Sequence, residues 1–220
     1  MLLEKELKKL ESKLSVLADA VEENFRQAIR AMLDHDVPLA DRVIAKDAEI
    51  DQLEIEVEEE CLKVLALYQP VAMDLRFIIA ILKINNDLER IGDLSESVAK
   101  RAKTIMVSKD TFENTDYNMM LEKAFDMFKQ SLTAFSSKDV AISRKVIGMD
   151  FEVNEYRGRL FSELRESIDQ QNLSGDLTLA LFSFVNCAER IADLSVNIAE
   201  DTIYLVEGKI VRHKDVGVLG

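Results

Sequence analysis

The sequence predicts an all-α protein built as two tandem three-helix bundles related by an internal repeat. Three observations carry this. Helix breakers are scarce, with 7 Gly and 2 Pro in 220 residues, while Leu, Ala, Glu, Lys and Ile are abundant. Apolar residues recur three and four apart over unusually long stretches. Finally, Glu89-Arg90-Ile91-Gly92-Asp93-Leu94-Ser95 returns one hundred positions later as Glu189-Arg190-Ile191-Ala192-Asp193-Leu194-Ser195.

The elements follow in order. Leu3, Leu7, Leu10, Leu14, Leu17, Val21, Phe25, Ala28 and Met32 form one stripe along a first helix. Asp34-His35-Asp36-Val37-Pro38 ends it. A second helix runs from Leu39 to about Tyr68, with Ile50, Leu53, Val57, Cys61 and Val64 inward. Glu54, Glu56, Glu58, Glu59 and Glu60 are assigned mostly to its wet side. Gln69-Pro70 is the next break, and Pro suits the first turn of a helix, where its missing N–H costs nothing. The third helix, Val71 to about Lys103, is apolar nearly all round in its first half and so predicts the most buried rod of its unit. Residues 107–116 are polar without an apolar stripe and mark the boundary between units 1–108 and 115–210. Tyr117 to about Phe135 reads as a fourth helix, Val140 to about Ile168 as a fifth, and Leu177 to about Val206 as a sixth, stopped by Gly208. Short connections make each unit up-down-up.

Bulk properties narrow the function. A formal net charge of −13 repels nucleic acid and anionic lipid, which argues against binding either one directly. No run of Lys and Arg builds a pocket for free phosphate. An acidic surface suits cations or basic partner surfaces. Cys61 and Cys187 stand apart from any CxxC, as reduced thiols of a cytosolic protein do. The first residues lack the apolar region of a signal peptide. The longest apolar stretch, Phe77 to Leu82, is too short to enter and cross a bilayer. A cytoplasmic location is expected.

The chemistry lies in paired acids. Residues four apart share a helix face. Glu89 and Asp93 are such a pair, and Asp47 and Asp51 form another on the preceding helix. In an antiparallel hairpin turning at Pro70, Asp51 and Glu89 lie equally far from the turn, and so do Asp47 and Asp93. Four carboxylates are thus expected at one height. The second unit repeats the register about the Gln170-Gln171-Asn172 turn: Asp150 faces Asp193, and Asn154 faces Glu189. Clustered carboxylates repel, and some must protonate unless a cation cancels the repulsion. An all-oxygen set suits Mg, Mn, Ca or ferric iron, and the absence of nearby His or Cys makes zinc less favoured. A single acidic pair in so acidic a chain is ordinarily solvated surface; two pairs meeting across a hairpin, and then recurring, point to metal. Arg90 and Arg190 read as solvent-side or salt-bridging. Asn86 and Asn186 either orient the carboxylates or cap a neighbouring carbonyl. His35 and His213 sit in a turn and in the tail.

At these residues the chain resembles the PhoU family of phosphate-uptake regulators. Leu88-Glu89-Arg90-Ile91-Gly92-Asp93 and Glu189-Arg190-Ile191-Ala192-Asp193 are similar to its E/D-x-x-x-D motif. Gln69-Pro70-Val71-Ala72-Met73-Asp74-Leu75-Arg76 resembles its turn into the third helix, and Asn197 to Gly208 its closing segment. The resemblance implies two three-helix bundles with multinuclear metal binding at Asp47, Asp51, Glu89 and Asp93, then at Asp150, Glu189 and Asp193. Asn154 departs from the pattern and removes a charge from the second site. The resemblance also implies a negative regulator of the phosphate regulon. Its partners would be a sensor histidine kinase and the ATPase subunit of the phosphate ABC transporter.

Two other functions compete with this non-enzymatic adaptor. An accessory protein of a low-affinity phosphate transporter would look the same in sequence. A di-metal carboxylate oxidase or ferroxidase normally draws on Glu-x-x-His from two helices, and neither His here stands in that context. Long amphipathic bundles often pair, which favours a homodimer.

Overall fold

A computed structural model describes residues 2–108, 115–170 and 173–211. Six helices account for nearly all of them: α1 (Leu2–Leu33), α2 (Val37–Tyr68), α3 (Ala72–Met106), α4 (Thr115–Ser137), α5 (Val140–Asp169) and α6 (Gly175–Glu207). No strand occurs among the described residues. Helix α2 starts two residues earlier than the sequence suggests. The Asp36 carboxylate accepts from the Leu39 N–H at 2.9 Å and caps it, and Pro38 falls in the first turn. Asp139 does the same for α5, accepting from Ala141 and Ile142 at 2.7 and 3.2 Å. The residue before each cap is left-handed, His35 at φ 53° and Lys138 at φ 55°. One turn is therefore used twice, 103 positions apart. The E-x-x-x-D segments recur at one hundred, so the second unit is three residues shorter in the region of its α5–α6 turn. Much of the expected boundary (109–114), part of the second turn (171–172) and His213 lie outside the described residues.

The two units share one continuous core. Ile78, Ile81, Ile84, Leu88 and Ile91 of α3 are buried, as are Leu181, Phe184, Val185, Ala188, Ile191 and Ile198 of α6. These two helices pack on each other across the repeat, and the other four wrap them. Two polar bonds mark the ends of the α3–α6 contact. Lys83 Nζ donates to Asp201 at 3.0 Å, and Arg101 Nε donates to Ser183 Oγ at 3.0 Å. Lys83 and Ser183 are repeat partners, and so are Arg101 and Asp201. The contact is therefore self-complementary about a pseudo-twofold axis, as in an isologous interface, with Gly92 and Ala192 midway along.

Gly92 is there because α2 comes close. A Cβ placed on it meets Ile50 Cγ2 at 3.0 Å, tighter than a core normally tolerates. In the second unit the corresponding residues are Ala192 and Val153: one methyl has moved from α2's counterpart to α6. Gly92→Ala is expected to destabilise by about 1 kcal/mol, the overpacking cost exceeding the gain in helix propensity. Ile50→Val alone is expected to cost about 1 kcal/mol. Val keeps Cγ2 but can draw back into the space that Cδ1 leaves, so the double variant should cost less than the two together, and urea denaturation of the four proteins measures the coupling. Strict additivity would show that the two sites do not compete for space.

One sequence expectation fails on α2. Glu60 is buried, not wet. It accepts from Lys9 at 2.7 Å and Lys63 at 2.8 Å, and these bonds hold its carboxyl below the usual range. Lys9 belongs to α1, so Glu60 ties α1 to α2. The helical stripe alone could not reveal this, because the partner lies 51 residues away.

Candidate metal centre

The α2–α3 hairpin brings the expected acids together. One carboxylate oxygen from each of Asp47, Asp51 and Asp93 lies within 4.8 Å of the others. Glu89 stands one turn further along α3, outside that trio but close enough to feel Asp93 and Asp51. The site is an open cup: Asp51 and Asp93 are exposed, and Asp47 and Glu89 half-buried. The openness has a simple cause, since several unneutralised carboxylates cannot all be taken out of water.

Two acids that the spacing rule missed complete the field. Glu96, three residues past Asp93, adds negative charge beside Asp47 and Asp93 and pairs with Lys100 at 2.6 Å. Glu54, one turn past Asp51, accepts from Asn85 Nδ2 at 2.7 Å. The same amide reaches the Glu54 carbonyl at 3.2 Å, clamping α2 to α3 beside the cluster. An i, i+3 continuation of each acidic pair was the signal available in the sequence.

Electrostatics then decide what the cup can hold. Burial, followed by the charges of neighbouring acids, pushes Asp47, Glu89 and Asp93 above the usual carboxylate range. Asp47 Oδ1 is buried and accepts no hydrogen bond among the described residues. A buried acceptor without a donor costs free energy, and a cation removes that cost. The donors are all oxygens, with no His or Cys in the grouping. The residues therefore fit a hard cation.

The second centre repeats the first with fewer charges. Asp150 Oδ1 is also buried and accepts no hydrogen bond among the described residues, and Asp150 is the repeat partner of Asp47. Asn154 Nδ2 donates to Asp150 Oδ2 at 2.7 Å, where the first centre has Asp51 beside Asp47. Burial, then Glu189, raises Asp150. Burial, then Glu189 and Asp150, pushes Asp193 up to about 6, against the pull of Arg157 and Arg190. Arg157 was missed in the sequence. It stands where the first unit has Glu54, with Nε 3.7 Å from Glu189 Oε1. Among the described residues only the first centre gathers three acidic oxygens at close range. Asn186 caps the Phe182 carbonyl at 3.0 Å, whereas Asn86 faces an open groove.

These raised carboxyls fix a pH response for the metal-free protein. A carboxyl raised in the folded state adds stability that is complete below its unfolded value, near 4, and is lost as pH climbs through the folded value. For Asp193 that window runs from about 4 to about 6. The displacement corresponds to about 3 kcal/mol if taken whole, and its exposure to water screens it to about 1 kcal/mol. Glu60 shifts the other way, so its contribution fades only below the usual Glu range. In EDTA the melting temperature should therefore rise between pH 7.5 and 5.5. A fall over that interval would contradict the assignment.

Comparison with known proteins follows the same residues. Residues 14–102 and 118–202 each match the model of the PhoU domain. The chain is 37% identical over 218 residues to the phosphate-specific transport system accessory protein PhoU homolog of Aquifex aeolicus, covering 98% of each chain. It is 33% identical over 213 residues to PhoU homolog 1 of Thermotoga maritima, covering 94% of this chain and 89% of that one. The crystal structure of PhoU from Pseudomonas aeruginosa superposes with a TM-score of 0.89 at 32% identity, covering 94% of this chain and 99% of that one. The PhoU structure from Streptococcus pneumoniae, titled a phosphate transport system regulatory protein, gives 0.88 at 28% identity, covering 95% and 99%. Two matched domains on one helical scaffold, with near-complete coverage at this identity, establish that the chain belongs to the PhoU family.

Proposed function

We propose that the protein is a non-enzymatic, metal-binding regulatory adaptor of phosphate transport, acting as a negative regulator of phosphate uptake and of the phosphate regulon. The relatives' names, accessory and regulatory proteins of a phosphate transport system, support the role. The observation that carries the metal reading is the trio Asp47, Asp51 and Asp93 with its buried, undonated Asp47 oxygen. When bound, the cation neutralises the carboxylates and fixes α2 against α3. Iron, Mn and Mg suit the oxygen set, zinc less so. Long buried helices supply a rigid scaffold, and the acidic exterior suits basic surfaces on a sensor kinase or a transporter ATPase. Among the described residues no helix is long and apolar enough to cross a membrane, so partners would be met by docking.

Elemental analysis of the purified chain, followed by Mn titration after chelation, tests the metal. Asp47→Ala should remove one class of sites. A chain that neither carries nor takes up metal would end that reading. Pull-down from phosphate-replete cells tests the role: recovery of the kinase or of the high-affinity ATPase is expected. Recovery of a low-affinity transporter alone would move the assignment to that system.

A further inference from the structure

A cavity of about 550 Å³ opens where α3 and α6 cross, lined by Arg90, Asp93 and Ser97 on one side and by Arg190 and Asp193 on the other. Arg90 and Arg190 are repeat partners, and so are Asp93 and Asp193, so the cavity lies on the pseudo-twofold axis. It takes one aspartate from each candidate metal centre. The sequence showed no basic cluster because these arginines are one hundred residues apart; the fold brings them to one cavity. Carboxylates outnumber cations in this chain, 41 to 28, and Arg157 beside the second centre is ion-paired with Glu189. Neither Arg90 nor Arg190 forms a contact ion pair with any described residue. They act on Glu89 and Asp193 only at longer range, and both side chains are exposed to the cavity mouth.

We propose that this axial cavity binds a tetrahedral oxyanion of the orthophosphate class, held between the Arg90 and Arg190 guanidiniums and flanked by cations at Asp93 and Asp193. The inference rests on the metal reading above. A guanidinium presents a planar fork of donors that matches two oxygens of such an anion, and the Ser97 hydroxyl adds a donor. Two arginines face two aspartates with further acids beside each, Asp51 and Glu96 at Asp93 and Glu189 and Asp150 at Asp193, so the bare wall repels a dianion. Cations at the two centres offset those acids and leave the guanidiniums to face the cavity. Binding therefore requires metal, and both halves of the repeat contribute to one ligand.

Equilibrium dialysis of radiolabelled orthophosphate against the full chain tests this, with metal content measured on the same samples. The Mn-loaded chain should bind about one phosphate, at least tenfold more tightly than the chelated chain. The double variant Arg90→Gln/Arg190→Gln should keep its metal and melting behaviour yet lose at least tenfold in phosphate affinity, with Arg90→Lys in between. Sulfate in excess should displace the label if shape and charge alone are read; failure to displace, with binding otherwise as expected, assigns the site to phosphate. Metal uptake without phosphate binding overturns this inference and leaves the metal reading intact. Phosphate binding that survives the double variant also overturns it, because the anion then sits elsewhere. Should the chain take up no metal, the metal reading fails, and with it the cation-dependent site; arginine-dependent binding to the metal-free chain would retain only the clasp.

Discussion

Stripping the protein of bound metal is expected to lower its melting temperature by about 5–10 °C. A ligand that binds only the folded state stabilises it by about 2.7 kcal/mol at a hundred times its Kd. For a chain of this size each kcal/mol moves the midpoint by about 2–4 °C. The physical source is specific. Asp47 and Asp150 each bury an oxygen that no donor among the described residues meets, and Asp47, Glu89, Asp93, Asp150 and Asp193 are all raised by burial and by neighbouring acids. A cation relieves both penalties and bridges α2 to α3. The measurement is a thermal scan with and without chelator, repeated after adding back Mn or ferric ion. An unchanged midpoint, in protein shown to be metal-free by elemental analysis, would remove the metal from the account. The pH dependence supplies a cross-check of opposite sign: acid should stabilise the chelated chain, whereas in the loaded chain protons compete with the cation for the same oxygens.

The helices were legible because each carries its stripe at one steady period and because Pro70 and the Asp36 and Asp139 caps punctuate them. The hairpin register was legible too, since turn position and spacing together bring Asp47 and Asp51 opposite Glu89 and Asp93. What the spacing could not carry was anything set by a third element. Glu60 looked solvent-facing on α2 and is buried because Lys9 of α1 reaches it. Asn85 was passed over in favour of Asn86, yet the 1% exposed Asn85 clamps α2. Arg157 fell on a face that only the α5–α6 pairing makes part of a site. The meeting of Arg90 with Arg190 needs the axial crossing of α3 and α6, which no local pattern encodes. The repeat itself held more than its matches did. The mismatches, Glu54 against Arg157, Asp51 against Asn154 and Glu96 against Val196, are where the two centres diverge chemically.

That divergence gives the second large effect. The first centre would face a cation with Asp47, Asp51, Glu89 and Asp93, with Glu54 and Glu96 nearby. The second has Asp150, Glu189 and Asp193, an amide at Asn154 and a guanidinium at Arg157. Asn154 already shows what an amide does, donating to Asp150 at 2.7 Å. Asp51→Asn should reproduce this in the first unit. Acidic oxygens within 4.8 Å of one another repel by about 1–3 kcal/mol at the dielectric of a wet protein surface. Removing one charge and gaining a donor should therefore raise the stability of the chelated chain by about 1 kcal/mol. The same change should weaken metal binding at that centre at least tenfold and shrink the chelator effect, so the variant is more stable without metal and less stabilised by it. The reciprocal double change, Asn154→Asp with Arg157→Glu, should do the reverse: the chelated chain loses about 1–2 kcal/mol, and Mn titration shows a second strong class of sites. Measured together, the two swaps separate a cation site from an acidic surface. On a merely solvated surface either swap leaves the metal titration flat, and the stabilities move by a few tenths of a kcal/mol. Opposite signs with and without metal arise only if the carboxylates are held together against their own repulsion for a cation to join.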